Sequence, residues 1–124
     1  MNQRTTLLSA AVLGGLAVGL GAFGAHALKP ILLQNGRVEV YELATRYQFY
    51  HTLALLAVGI LQHWYSNKQL QYASFCMLTG TVLFSGSLYL LSFISFSLLG
   101  PITPIGGVFL IMGWVFLLVG IYKK

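Results

Sequence analysis

Charge is scarce in this chain. Only 7% of its 124 residues are Asp, Glu, Lys or Arg, against about 25% in a typical soluble domain. So few charges cannot cover a water-facing surface, which excludes an ordinary soluble enzyme, and 57% apolar residues exclude a disordered tail. Acidic residues are down to two, Glu39 and Glu42, and the net charge of +5 comes from seven scattered Lys and Arg. Scattered cations do not make a nucleic-acid surface, so no nucleic-acid partner is expected. A single cysteine, Cys76, can form neither an internal disulfide nor a Cys-based structural zinc site.

What the chain has is apolar length, with a mean hydropathy of +0.80. Arg4 and Lys29 bracket a charge-free run of 24 residues, Arg46 and Lys68 one of 21, and Lys68 and Lys123 one of 54. A helix needs about 20 apolar residues to cross the hydrocarbon core. Each of the first two runs therefore fits one crossing, and the third fits two. The turn between those two falls at Gly100-Pro101-Ile102-Thr103-Pro104, where the prolines remove donors and disfavour helix before them. The expectation is an all-α, integral membrane four-helix bundle. It forms a single transmembrane domain over 1–124, with helices at about 5–27, 39–65, 70–97 and 105–122. Barrel strands would alternate in polarity with period two, which these unbroken runs do not.

Met1–Ala27 has the outline of a secretory leader, with Arg4, an apolar stretch and Ala25-His26-Ala27. The run is long for a leader and is broken by glycines, so it reads as the first membrane helix. With four spans both termini share a side with the 66–69 loop. Arg4, Lys68, Lys123 and Lys124 lie there, against Lys29, Arg37 and, at the interface, Arg46. The excess favours cytoplasmic termini and a multi-pass protein of the cell (inner) membrane.

Helices in lipid associate through small residues that let backbones approach. The first helix carries Ala11, Gly15 and Gly19 on one stripe and Ala17, Gly21 and Ala25 on another, which predicts a central place touching more than one neighbour. Gly106, Gly113 and Gly120 recur every seven residues in the fourth helix, as do Gly80 and Ser87 in the third, nearly on one face. Between the first two long helices, Gln34-Asn35-Gly36 signals a turn. Glu42 and Arg46 then suit an i, i+4 pair at a solvated helix start.

Polar residues at membrane depth are costly and therefore informative. Gln48 and His51 share a face of the second helix, and His26 closes the first helix on the same side. The two histidines are accordingly expected at similar depth. Ser85 and Tyr89 of the third helix approach that side too, with Thr103–Gly107 closing over it as a loop. His26, Gln48, His51, Ser85 and Tyr89 thus form the candidate ligand-binding cluster. In the bland alternative they hydrogen-bond across helices. Two histidines and a glutamine lack a third strong ligand, so neither a metal nor any other cofactor is expected. Nor does anything else ask for haem. Ser85 or Ser87 beside His51 has no carboxylate to orient the base, so no catalytic residue and no enzymatic activity are expected. His63, beside Trp64 and Tyr65, reads as an interfacial belt residue.

Five segments carry a resemblance: Gly21–Leu28 (GAFGAHAL), Tyr47–His51 (YQFYH), Leu83–Tyr89 (LFSGSLY), Thr103–Gly107 (TPIGG) and Gly113-Trp114. In order and spacing they resemble the small YgdD-like membrane proteins (domain of unknown function 423), to which the eukaryotic transmembrane protein 256 is related. The Ser-rich Ser92–Ser97 stretch departs from that pattern. The resemblance implies four spans and, for a bacterial copy, the cell membrane; it carries no activity or site residues. Two functions compete. One is a non-enzymatic structural or accessory component of a membrane assembly, partnered by the lipid bilayer and by other subunits or a second copy. The other is a binder or transporter of a lipid, quinone or similar small ligand at the polar cluster.

Overall fold

Asn2 starts the first helix: its side chain accepts from Thr5 N at 2.8 Å, satisfying a donor that has no partner inside the helix. In the computed structural model, which describes residues 1–95 and 97–123, α1 then runs over Gln3–Ala25. It is followed by α2 (Lys29–Asn35), α3 (Val38–Leu61), α4 (Lys68–Leu91) and α5 (Leu99–Lys123), with no strand among the described residues. Phe96, inside the helix expected over 70–97, and Lys124, counted among the charges, lie outside the described residues. The fold is all-α. Three of its helices, α1, α4 and α5, are long and apolar enough to cross a membrane. α3 matches them with 24 residues but carries Glu39, Glu42, Arg46, Gln48 and His51 in its first half.

α2 was not expected. Pro30 sits in its first turn, where a missing N–H costs nothing. Gly36 ends it in the left-handed conformation at φ 65°; its N–H bonds Leu33 O, and Arg37 N returns to Leu32 O at 2.9 Å. The turn signal at Gln34-Asn35-Gly36 is thus the C-terminal stop of a helix.

The other boundaries shift for local reasons. α3 stops at Leu61, short of residue 65, because its end tightens into three-residue turns, with His63 N bonding Ile60 O and Trp64 N bonding Leu61 O. α4 stops at Leu91, short of residue 97. There the Ser92 hydroxyl bonds back to Leu88 O at 2.9 Å, and Asn35 Nδ2 takes the Ser92 carbonyl at 3.2 Å. α5 starts at Leu99, so Thr103–Gly107 is helix and not a closing loop. Pro101 falls in the first turn and removes no helical bond. Pro104 removes one, and the carbonyl its ring approaches belongs to Gly100.

Helix pairing is sequential: α1 packs on α3, α3 on α4, and α4 on α5. Between α1 and α3, Gly14 lies opposite Thr52, Gly21 opposite Thr45 and Gly59 opposite Leu7, an antiparallel register. The buried seam of α1 is Thr6, Ala10, Ala17 and Gly24. The Ala11–Gly15–Gly19 stripe stays uncovered, for a Cβ at Gly15 or Gly19 would meet nothing within 4 Å. α1 is therefore peripheral, and α3 and α4 occupy the centre. Only one of its two small stripes is used.

The α4/α5 seam is the closest. Leu70, Met77 and Phe84 lie opposite Gly120, Gly113 and Gly106, while Leu110 lies opposite Gly80. Seven residues are nearly two turns, so both rows keep to facing sides. A small core of Ala10, Ala54, Leu55, Val58, Ala73 and Met77 joins α1, α3 and α4.

Both chain ends meet the α3–α4 connection. The Met1 amino group donates to Gln71 O at 2.9 Å, Gln62 Nε2 donates to Met1 O at 2.8 Å, and Asn67 Nδ2 donates to Gly120 O at 3.0 Å. Partial burial lowers the pKa of the Met1 ammonium from its ordinary value.

Candidate functional site

Gln48 is buried where α1, α3 and α4 meet. The Leu13 carbonyl of α1 can only accept, so the Gln48 amide nitrogen must face it, at 2.9 Å. That leaves Gln48 Oε1 to accept from the Tyr89 hydroxyl of α4 at 2.6 Å, with Thr45 Oγ1 lying 3.1 Å from the same hydroxyl. One side chain on α3 is thereby tied to both of its neighbours. A turn earlier, the Ser85 hydroxyl donates to Ala44 O at 2.7 Å, a second α4-to-α3 bond. Nearer the start of α3, the buried Tyr41 donates its hydroxyl to Leu20 O. Its ring stands edge-on to Tyr89 and to Phe93, at centroid distances of 5.1 Å and 6.0 Å.

His51 has one allowed protonation pattern. Trp114 Nε1–H of α5 can only donate, and it donates to His51 Nε2 at 3.0 Å, so that nitrogen is unprotonated. His51 Nδ1 lies 2.9 Å from the Tyr47 carbonyl, which can only accept, so Nδ1 carries the proton. The imidazole is neutral, with both nitrogens engaged. Tyr47 stacks on the ring at 5.9 Å and meets Phe84 at 4.8 Å.

Of the five residues singled out from sequence, Gln48 and Tyr89 bond each other, Ser85 bonds backbone on the same pair of helices, and His51 stands one turn from Gln48. His26 does not join them. It caps α1 and is exposed. On the α1/α3 register His51 stands opposite Gly15, eleven residues from His26, or about 16 Å along the axis at 1.5 Å per residue. The expected equal depth fails because His51 lies nearly four turns inside α3, whereas His26 lies at the very end of α1. Nor do Glu42 and Arg46 pair; among the described residues neither makes an ion pair.

Sequence reasoning missed Trp114 as the partner of His51, because an indole on α5 shares no helix face or local spacing with it. It also missed the Leu13 and Ala44 carbonyls, since no residue type marks a backbone acceptor. Chemically the arrangement is a set of closed bonds. Ser85 and Ser87 donate to Ala44 O and Phe84 O, and neither faces a free histidine nitrogen. Among the described residues no three His, Cys, Asp or Glu gather to hold a metal.

One buried hydroxyl is left over. Thr52 Oγ1 has no partner among the described residues, while its methyl packs opposite Gly14. Thr52→Val removes the orphan at almost constant shape. It should hold or raise the detergent melting temperature, gaining about 1 kcal/mol. A loss in thermal unfolding would mean that the hydroxyl has a partner.

The family model described as "Protein of unknown function (DUF423)" matches residues 20–107. A UPF0382 membrane protein of Staphylococcus saprophyticus is 44% identical over 108 residues, covering 87% of this chain and 88% of the relative. The UPF0382 membrane protein YwdK of Bacillus subtilis is 43% identical, with coverage of 87% and 88%. The UPF0382 inner membrane protein YgdD of Escherichia coli K12 is 40% identical over 122 residues, with coverage of 97% and 91%. No solved structure matches the chain. Apolar helices of spanning length, a family match across most of the chain and relatives that are themselves membrane proteins agree: this chain belongs to the DUF423 family of UPF0382 membrane proteins.

Proposed function

We propose that the chain crosses the membrane four times with both termini in the cytoplasm, and that it serves without enzymatic activity as a structural or accessory component of a membrane assembly. The observation that carries this reading is the use of polar side chains at depth. Gln48, Ser85 and Tyr89 tie α3 to α1 and α4, and His51 ties it to α5. Groups closed in this way hold helices together. A ligand held by His26, Gln48, His51, Ser85 and Tyr89 is the weaker reading, since His26 stands apart and Trp114 takes the open nitrogen of His51.

Length supports a fourth crossing by α3. Its 24 residues span about 36 Å at 1.5 Å per residue, against a core of about 30 Å. The charged first turns then sit at headgroup level. Arg4, Lys68 and Lys123 flank the end shared by the termini, with Lys124 following in sequence, against Lys29, Arg37 and Arg46 at the other, and the lysines beside the termini favour a cytoplasmic placement. Single cysteines at Ser66 and Asn35, in a Cys76→Ala background, test both points with a membrane-impermeant maleimide on intact cells. Label at Asn35→Cys alone is expected; label at Ser66→Cys defeats the orientation, and label at both defeats the pass count.

The uncovered Ala11–Gly15–Gly19 stripe supports a partner in the membrane, because small residues there leave α1 open to close approach. Gly15→Leu should abolish co-migration with a second copy or another subunit in mild detergent, with the monomer's melting temperature unchanged. A native protein that migrates alone as a monomer would overturn the assembly role.

A further inference from the structure

A groove of about 470 Å³ opens where the end of α1, the short α2 and the start of α3 come together. Gly21 and Gly24 of α1 and Leu32 of α2 belong to its apolar lining. Lys29 of α2 and Glu42 and Arg46 of α3 supply its charged lining. Two cations against one anion leave it net positive. Among the described residues, no side-chain hydrogen bond or ion pair engages any of the three charges. Glu42 and Arg46, one turn apart, are both exposed. The groove borders the polar cluster through Tyr41 and Thr45, while Gln48 and Tyr89 themselves do not line it.

Its surroundings say which solvent it opens into. Ile31 and Leu33 of α2 are 48% and 63% exposed, and Leu32 alone turns inward at 1%. A short helix with apolar side chains on its outer face is stable at the boundary between headgroups and acyl chains, not in water. The charges of Lys29, Glu42 and Arg46 therefore lie at the depth of lipid phosphates. Cations beside an apolar floor at that depth are the ingredients of a headgroup pocket.

We propose that this groove holds one glycerophospholipid, with its phosphodiester between Lys29 and Arg46 and its head substituent against Glu42. Arg46 offers a planar fork of donors to the phosphate oxygens and Lys29 a point charge. The Glu42 carboxylate can only accept, so it selects a substituent that donates, an ethanolamine ammonium or glycerol hydroxyls, over choline, which has no N–H. The acyl chains leave along Leu32 and Phe49. The volume falls within the roughly 300–1,000 Å³ of small-molecule sites. The inference rests on the reading that this end of α3 lies at headgroup level.

The experiment uses the full chain, stripped of lipid in detergent and presented with phosphatidylethanolamine, phosphatidylglycerol or phosphatidylcholine, and counts retained lipid by native mass spectrometry. One ethanolamine or glycerol lipid per chain is expected, and about tenfold less in Lys29→Gln/Arg46→Gln, as for a loss of about 1.4 kcal/mol. Glu42→Gln should erase the preference over choline. Ala25→Trp fills the groove from an exposed position, leaves every charge in place, and should also lose the lipid. Circular dichroism of each variant confirms that it is folded. Equal retention in the charge variants, equal binding of the choline lipid by the wild type, or displacement by millimolar inorganic phosphate would each overturn the proposal. Because maleimide labelling at Asn35→Cys reports the membrane reading independently, a failure of lipid retention with normal labelling sinks the groove alone.

Discussion

Gly106→Ala will separate α4 from α5 and lower the detergent melting temperature more than alanine at any other α5 glycine. A Cβ built at Gly106 runs into the backbone nitrogen of Phe84 and comes within 2.8 Å of its Cα. Backbone cannot rotate aside as a side chain can, so the helices themselves must move. Forcing one extra carbon into a packed seam costs about 1–3 kcal/mol, and the upper part of that range applies where the obstacle is main chain. Gly113 is the control. Its added Cβ would meet Met77 Cγ at 2.6 Å, but that obstacle lies on an unbranched, flexible side chain, and the nearest backbone atom is 3.3 Å away. Gly113→Ala should cost visibly less, and Gly15→Ala, with open space around it, almost nothing. Thermal unfolding of the three variants in one detergent checks the order. Equal losses at Gly106 and Gly113 would contradict the seam described above.

Gln48→Leu is the second large loss. It removes two interhelical bonds together, one to Leu13 O and one from Tyr89, and leaves the Tyr89 hydroxyl with Thr45 Oγ1, at 3.1 Å, as its remaining partner. Interhelical bonds in lipid average about 0.6 kcal/mol each and reach about 1.7, so a loss of about 1–3 kcal/mol is expected. Tyr89→Phe should cost less, because it removes one hydroxyl's contacts to Gln48 and Thr45 while the Gln48 bond to Leu13 and the Ser85 bond to Ala44 persist. In a double-mutant cycle the pair should be coupled, the second substitution costing less once the first is present. Strict additivity would show that the two side chains do not bond in the folded protein.

Much of this was legible in the chain itself, for reasons of period and charge. Bare apolar runs between Arg4, Lys29, Arg46 and Lys68 mark long helices because lipid demands them. The heptad of Gly106, Gly113 and Gly120 was visible because periodicity is a property of sequence, but Leu70, Met77 and Phe84 opposite it were not, since register is set by contact. α2 escaped because seven residues are too few to display a helical period. Gly100–Pro104 misled because Pro101 is harmless in the first turn of a helix that starts at Leu99, and Pro104, further in, costs that helix one hydrogen bond without ending it. The pairing of His26 with His51 failed for a related reason. Chain order tells which end of the bundle a segment is near, not how many turns inside a helix a residue lies.

The evenly toothed seam between α4 and α5 raises a problem of uniqueness. Slide α5 one heptad along α4 and Gly113 would face Phe84, Gly120 would face Met77, and the large-against-small fit would largely survive. Steric fit alone would leave such a misalignment as a near-degenerate competitor. What distinguishes the native alignment, besides the Trp114 bond to His51 of α3, is a fastener at each end of the seam: Asn67 on the Gly120 carbonyl, and the hydroxyl of Ser87 on that of Thr103. Either slide breaks both. These two modest polar contacts therefore act as an index mark, penalising wrong meshings more than they strengthen the right one.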